Sequence, residues 1–179
     1  RSVAIDDIKA DRPYSCIGGP FGSDLTAADY VTTPGVPVIR GGNLSDDSPY
    51  MNEDGLVFVS AKKAEDLVKC SAFRGDIIFS QRGARLAGQL GIIRDDSRFP
   101  QYIVSQSQMK LAVETSQVDP IFLVYYCQSR WAIREMERRT ISTGVPHINL
   151  GILKAFPVHL PPKKQQELFR TSFQKHQSL

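Results

Sequence analysis

The sequence has 179 residues, of which 41% are hydrophobic and 23% are charged, and its formal net charge is +3. This composition is normal for a globular chain with one full core and, at most, a small appendage. It excludes a transmembrane chain, because no stretch approaches the ~20 apolar residues needed to span a bilayer. The pI of about 8.8 permits a nucleic-acid partner without requiring one.

The three cysteines indicate a reducing compartment. Cys16, Cys70 and Cys127 are odd in number and far apart, which favours free thiols in a cytoplasmic protein over a disulfide framework. No signal peptide is recognisable. Because the sequence starts at Arg1 instead of methionine, we expect it to be part of a longer chain.

The first two thirds of the chain predict a domain of short strands separated by turns. One short helix interrupts the strands, at residues 61–69, with Ser60 as its N-cap. The five best strand candidates are residues 36–39, 56–59, 76–80, 90–93 and 103–113.

The last third of the chain is predicted to be helical. Asp119 and Pro120 form a start signal, and apolar residues at helical spacing predict one helix that continues to about Arg139. After a polar connector and an apolar segment at 152–160, a polar helix is predicted from residue 163 to about 176. Because this terminal helix has few apolar residues, we expect it to be the start of a longer helix that packs on something outside this sequence.

Two of the predicted strands end in glycine loops whose side chains suit DNA bases. The first loop is Arg40-Gly41-Gly42-Asn43, and the second is Gln81-Arg82-Gly83 with Arg85 two residues later. Arginine can form two hydrogen bonds with guanine, and asparagine or glutamine can do the same with adenine. The alternative at both places is an ordinary surface turn with solvated arginines.

Signatures of catalysis are scarce in the sequence. No cysteine pair has metal-binding spacing, and neither a GxGxxG motif nor a Walker A loop occurs. His147, His159 and His176 also have no partners at metal-ligand spacing. We therefore predict no catalytic residues and no metal site.

Two alternatives remain open at this point. Asp95 or Asp96, followed by Gln108-Met109-Lys110, loosely matches the pattern of nucleases that hold Mg²⁺ on carboxylates beside a lysine. That alternative is a small Mg²⁺-dependent nuclease centred on Asp96 and Lys110, although a turn and an exposed strand lysine would explain the same residues. The other alternative is a protein-interaction module that uses the terminal helix and does not contact DNA.

Seven segments, in order and spread over nearly the whole chain, resemble the target recognition domain of the specificity subunit of type I restriction-modification systems. Each segment is weak alone, and the series is specific. The segments are GPFGSDL (19–25), YVTTPGVPVIRGGNL (30–44), FVSAKKAEDL (58–67), FRGDIIFSQRG (73–83), YIVSQSQMKL (102–111), DPIFLVYYCQS (119–129) and INLGILKAFPVHLPPKKQQEL (148–168).

The resemblance implies an α+β fold. We expect a strongly twisted, β-rich recognition domain with flanking helices at residues 1–160, and the start of a coiled-coil-like spacer or dimerisation helix at 161–179. The sequence departs from the family pattern after the double proline, where Lys163 and Gln165-Gln166 replace a leucine and a Glu-Gln pair.

The resemblance also implies the function and the partners. The domain is expected to recognise a double-stranded DNA sequence and to be non-catalytic, without a cofactor of its own. Adenine methyltransferase subunits, which use S-adenosylmethionine, and in the nuclease complex a restriction motor subunit would act on the DNA. A second recognition domain, or a second copy of the chain, would join through the spacer helix, so the chain is either a fragment or a half-subunit.

The family pattern does not fix which residues read the bases, so the contact residues are predicted from their chemistry. The candidates for base or adjacent phosphate contacts are Arg40, Asn43, Gln81, Arg82 and Arg85. The candidates for contacts with the DNA backbone are Lys62, Lys63, Arg130 and Arg134.

Overall fold

A computed structural model describes residues 1–32 and 35–177, and the side chains up to residue 173. Residues 33–34 of the second resembling segment, the last two residues of the predicted 161–179 helix and the His176 side chain lie outside this description. In the described part there are eleven strands and five α-helices. The strands are β1 (Ser2–Ala4), β2 (Cys16–Gly18), β3 (Tyr30–Val31), β4 (Val36–Ile39), β5 (Val57–Val59), β6 (Ser71–Ala72), β7 (Ile77–Ser80), β8 (Leu90–Ile92), β9 (Tyr102–Val104), β10 (Gln108–Leu111) and β11 (Pro157–His159). The helices are α1 (Ala61–Asp66), α2 (Pro120–Cys127), α3 (Arg130–Arg139), α4 (Leu150–Lys154) and α5 (Lys163–Gln177).

The strands form two main sheets and one small one. The four-stranded sheet has the order β2-β10-β7-β8, and all its neighbours are antiparallel. The five-stranded sheet has the order β3-β5-β4-β9-β6, in which β4 and β9 are parallel. β1 and β11 pair as a separate antiparallel ribbon, which brings the start of the chain beside the segment before α5. The predicted α+β class is confirmed.

The four-stranded sheet is the middle layer of the molecule. Successive side chains on a strand point to opposite faces, and β7 shows both faces buried. Ile77 and Phe79 pack with the apolar residues of the helices, whereas Ile78 packs with those of the five-stranded sheet. Because both faces are covered, β7 is apolar along its length instead of alternating with polar residues.

The predicted helix over 119–139 is wrong as one element, because it breaks into α2 and α3. Asp119 caps α2, as predicted, with its Oδ1 accepting from the N–H of Ile121 at 2.9 Å. The break follows from Ser129, whose hydroxyl oxygen accepts from the N–H of Ala132 at 3.3 Å and so caps α3. Gln128 reinforces the corner by donating from Nε2 to the Ser48 carbonyl at 3.0 Å.

Two further predicted elements are shorter than expected. The strand predicted at 103–113 is divided into β9 and β10, because the chain turns at 105–107 and passes from one sheet to the other. The helix predicted at 61–69 is α1 followed by a 3-10 turn at Val68–Cys70. Ser60 caps α1 as predicted, with its hydroxyl accepting from the N–H of Lys63.

The first half of α5 packs on α2 of the same chain. The rings of Phe169 and Phe173 lie with their centroids 5.5 and 4.7 Å from that of Tyr125. Gln166 is fully buried, and its Oε1 accepts from the N–H of Asp119 at 2.8 Å. The predicted division at 160/161 stays a prediction. In the described residues, no helix has the length and apolar character to cross a membrane.

We expect Leu111→Ala to lower the free energy of unfolding by about 2–5 kcal/mol, because it removes apolar atoms from a fully buried site and leaves a cavity. Val145→Ala is the control, since Val145 is 63% exposed and should change the value by less than about 0.5 kcal/mol. Urea unfolding followed by circular dichroism measures both. Equal midpoints for the two variants would contradict the assigned core.

Candidate functional site

The ends of four strands meet at one end of the two sheets. β10 runs antiparallel to β2 and β7, so its first residues lie opposite the last residues of both, with Met109 opposite Gly18 and Gln108 opposite Ser80. The turn at 105–107 connects β9 to β10. β4 ends beside the end of β9, because the two strands are parallel and Ile39 pairs with Val104. We call this end, formed by residues 19–25, 40–44, 81–88 and 105–107, the strand-end face.

Residues 19–25 are held tightly against the turn that precedes β10. The N–H of Gly19 donates to the Gln108 carbonyl at 2.9 Å, and a Cβ at Gly19 would lie 1.9 Å from the Ser105 carbonyl oxygen. Glycine is therefore required at this position, since any side chain would collide with backbone. Gln106 adds a second attachment by donating from Nε2 to the carbonyls of Gly22, at 3.0 Å, and Leu25.

The loop after β4 presents Arg40 but not Asn43. Arg40 is exposed, and its guanidinium makes one long contact, 3.4 Å, with the Gly55 carbonyl. Asn43 is 3% exposed; its Oδ1 accepts from the N–H of Arg40 at 2.9 Å, and its Nδ2 donates to the carbonyls of Asn52 and Asp54. Asn43 was predicted as a DNA contact, but its amide is buried and bonded inside the protein, where it holds the backbone at Arg40.

The loop after β7 has a fixed backbone and exposed cations. The N–H of Gln81 donates to the Ser107 carbonyl at 2.8 Å, and the N–H of Gly83 donates to the Pro146 carbonyl at 3.0 Å. Gly83 has a φ of +121°, which favours glycine. The side chain of Gln81 is half-buried, whereas those of Arg82 and Arg85 are exposed and, among the described residues, have no ion-pair partner.

A glutamine joins the two arginine loops. Gln89 donates from Nε2 to the Gly41 carbonyl at 3.2 Å, so the loop after β4 and the loop after β7 are linked by a direct hydrogen bond. The structure therefore brings together four of the predicted contact residues at the strand-end face. They are Arg40, Gln81, Arg82 and Arg85.

α3 borders the loop after β7. A Cβ at Gly88 would lie 3.0 Å from Cδ1 of Ile133, and a shallow cleft separates residues 83–87 from α3. Arg130 and Arg134 lie four residues apart on one side of α3 and are exposed. Neither has an ion-pair partner among the described residues.

The two arginines at the end of α3 differ from Arg130 and Arg134. Glu135 binds Arg138 at 2.6 Å and Arg139 at 2.7 Å. The hydrogen bond from Arg139, together with the nearby positive charges, lowers the pKa of Glu135. Arg138 and Arg139 therefore share one carboxylate within the helix, whereas Arg130 and Arg134 have none among the described residues.

The predicted backbone contacts Lys62 and Lys63 lie away from the strand-end face. Val36, at the start of β4, pairs with Val59, which comes just before α1, whereas Arg40 follows the other end of β4. A four-residue strand separates its ends by roughly 10–13 Å. Lys63 is also engaged with Asp29 at 3.0 Å. The Thr26 N–H and the Lys63 ammonium hold the pKa of that carboxyl at about 2.

The residues of the nuclease alternative do not form a metal site. Lys110, predicted to be exposed, is 3% exposed and pairs with the buried carboxylate of Asp76 at 3.4 Å. Burial lowers the pKa of Lys110, although the charge of Asp76 opposes this shift. Asp96 is exposed and binds Arg94 at 2.8 Å, and the described residues contain no group of three or more His, Cys, Asp or Glu side chains that could hold a metal ion. The nuclease alternative is not supported.

A comparison with family models gives a match that covers most of the chain. Residues 24–175 match the type I restriction modification DNA specificity domain. The chain therefore belongs to this family of DNA-recognition domains, and it is a specificity domain and not an enzyme. The family and the DNA-recognition function predicted from the sequence are confirmed. No match was found among curated proteins.

Solved structures show the same fold. The specificity subunit HsdS from Thermoanaerobacter tengcongensis is 16% identical, with a TM-score of 0.66, and the match covers 99% of this chain and 37% of that one. The type I specificity subunit from M. genitalium is 15% identical, with a TM-score of 0.62, and the match covers 99% and 39%. A chain from a study of complex assembly and conformational transition in a type I system is 14% identical, with a TM-score of 0.67 and coverages of 99% and 42%. The chain thus spans about two fifths of the length of the structures it matches.

We expect Asn43→Ala to lower the free energy of unfolding by about 1–3 kcal/mol, because it leaves one N–H and two carbonyl groups without their partners. Arg40→Ala, at an exposed side chain in the same loop, is the control and should change stability by less than about 0.5 kcal/mol. Thermal and urea unfolding measure both. An Asn43→Ala variant of unchanged stability that no longer bound DNA would restore Asn43 as a direct contact.

Proposed function

We propose that the strand-end face reads one part of a DNA target and that other subunits carry out the chemistry. The observation that carries this proposal is the convergence of Arg40, Arg82 and Arg85 on loops whose backbones are fixed by hydrogen bonds. Each guanidinium is exposed and unpaired by carboxylates among the described residues. A rigid backbone with free cationic tips lets base contacts form without the cost of ordering the loops.

The proposed mode of reading is entry of these loops into the major groove. Each base pair shows a distinct pattern of donors and acceptors there, and arginine is suited to guanine O6 and N7. Gln81 has a half-buried amide beside the two arginines and would contact adenine at the edge of the read segment. Arg130 and Arg134 would bind phosphates flanking the groove, whereas Asn43, Lys62 and Lys63 have no part in this interface.

The partners follow from the family and belong to the proposal. We infer that adenine methyltransferase subunits bind the specificity protein and flip the target adenine out of the duplex, and that a restriction subunit joins where the system contains one. The complex would act in the cytoplasm, where the DNA is. The domain would direct these activities by choosing the sequence.

A further part of the proposal concerns α5. Leu168 is 60% exposed and Phe169 is 40% exposed, although the same helix packs on α2. This apolar edge supports the pairing of α5 with the spacer helix of a second recognition domain or of a second copy of the chain. Such pairing would link two reading heads and raise the affinity for a two-part target.

The proposal is tested by selection from a library of random DNA duplexes, with the chain alone and with the co-expressed methyltransferase subunits. We expect enrichment of one short sequence, and methylation of an adenine in or beside it when the subunits and S-adenosylmethionine are present. Failure to enrich any sequence under both conditions would contradict the proposal. A chain that associates with the methyltransferase while showing no sequence preference would be an interaction module.

We expect Arg82→Ala to weaken binding to the selected duplex by roughly 1–3 kcal/mol and to relax the preference at one base position, because a two-bond contact with guanine is lost. Gel-shift titration on duplexes with each base changed in turn measures both effects. Arg94→Ala is the control, since Arg94 follows β8 at the opposite end of the four-stranded sheet and pairs with Asp96. An unchanged base preference in Arg82→Ala would refute the assignment.

We expect the double substitution Arg130→Gln and Arg134→Gln to flatten the plot of log affinity against log salt by about 1.8, since each phosphate contact contributes a slope of roughly 0.9. The base preference should be preserved. The matched control is Arg138→Gln with Arg139→Gln on the same helix, where both side chains already pair with Glu135. Equal slopes for the two double variants would count against phosphate contacts by Arg130 and Arg134.

A further inference from the structure

Phe21 is the most exposed large apolar side chain of the described residues. It is 85% exposed, and it stacks on no other ring in the described part of the chain. Of its two neighbours, Pro20 is buried and Gly22 has no side chain. Because single exposed apolar side chains are common on protein surfaces, the exposure of Phe21 matters only together with the fixed loop that carries it.

The backbone around Phe21 is fixed on both sides. Gly19 is in contact with the Ser105 carbonyl and donates to Gln108, and Gly22 accepts from Gln106 at 3.0 Å. The Phe21 carbonyl accepts from the N–H of Asp24 at 2.9 Å and closes a turn. The ring is therefore attached to a turn whose backbone is held in place by hydrogen bonds on both sides.

The surroundings of Phe21 favour DNA over a protein as its partner. The turn at 105–107, to which its loop is bonded, also bonds to the end of β4 through the Ser105 N–H and the Ile39 carbonyl at 3.0 Å. Arg40 follows Ile39, and the turn also accepts from Gln81, next to Arg82. The loop of Phe21 is thus bonded to the same turn as the two loops that carry the unpaired arginines, so a partner that reaches those arginines also meets the Phe21 loop.

We propose that Phe21 is a wedge that inserts between two base pairs next to the segment read by the arginines. Because nearly the whole side chain is exposed, both faces of the ring are free to stack on bases. An edge contact with a thymine methyl group would leave both faces unused. Apolar side chains inserted in this way unstack a base step and kink the duplex. This inference rests on the proposed function, since it requires the strand-end face to meet DNA.

The inference is tested with the duplex obtained by selection, carrying 2-aminopurine at successive positions, whose fluorescence rises when a base loses its stacking. We expect the unaltered chain to raise the signal at one step other than the adenine that becomes methylated, because the methyltransferase subunit itself unstacks that adenine. Phe21→Ala should abolish this rise and weaken binding roughly 5- to 150-fold, the range for loss of base stacking on an aromatic ring. Phe21→Trp should restore both.

Two controls separate the wedge from other roles. Phe21→Ala removes no charge and no buried contact, so the salt dependence of binding and the melting temperature should be unchanged. Phe73→Ala, at a partly exposed phenylalanine that precedes β7 at the opposite end of the four-stranded sheet, should leave both the fluorescence and the affinity for DNA unaltered.

The outcomes are distinct. A Phe21→Ala variant that keeps the fluorescence rise and the affinity overturns the wedge while leaving the proposed function intact. A variant that binds DNA normally and loses association with the methyltransferase subunits overturns it as well, and makes Phe21 a protein contact. Absence of sequence-specific binding by the unaltered chain, with and without those subunits, overturns the proposed function and the wedge together.

Discussion

The pairing of β10 with both β2 and β7 is the constraint on which the site depends. An antiparallel central strand places its own beginning beside the ends of its two neighbours. The turn at 105–107 then adds the end of β9, and the parallel pairing of β9 with β4 adds the loop that carries Arg40. A shift of β10 by one residue would turn Lys110 from Asp76 into the apolar layer beneath the helices. The buried ion pair between Lys110 and Asp76 thus favours the one register in which the loops of the strand-end face meet.

Some of the positively charged side chains of the domain pair with carboxylates of the protein, and others are left without such a partner among the described residues. Arg94, Arg138, Arg139 and Lys63 have carboxylate partners within the protein. The exposed cations at the strand-end face and on the adjoining side of α3 have none among the described residues. A modest net charge of +3 therefore conceals a local concentration of positive charge, which is what a partner with regularly spaced phosphates requires.

The sequence was sufficient for the elements whose signals are local. Ser60 and Asp119 both cap the helices that they were expected to cap, and the strand at 36–39 has the predicted bounds. The break between α2 and α3 was missed because the apolar spacing continues through Ser129, although Ser129 caps α3 and the bond from Gln128 to a distant loop reinforces the corner. Lys110 was misjudged because its partner, Asp76, lies 34 residues away.

The same distinction applies to the site. Arginines on glycine loops can be recognised from their neighbours in sequence. Arg40, Arg82 and Arg85 could therefore be chosen as candidate DNA contacts before the structure showed that their loops are linked. The burial of Asn43 could not be foreseen, because an exposed amide and a buried amide can have the same local sequence, and its bonds to Asn52 and Asp54 come from tertiary structure. The supporting roles of Gln89 and Gln106 carried no sequence signal, since each acts on a loop far along the chain.

The amide side chains that hold these loops have a consequence for how such domains diversify. Asn43, Gln89 and Gln106 all bond to main-chain atoms of the loops, and main-chain atoms are the same whatever residue is present. Exchange of an exposed arginine for another residue therefore leaves the loop geometry in place. A change of target preference would then need only single replacements at exposed positions, with the hydrogen bonds that hold the loops unaltered.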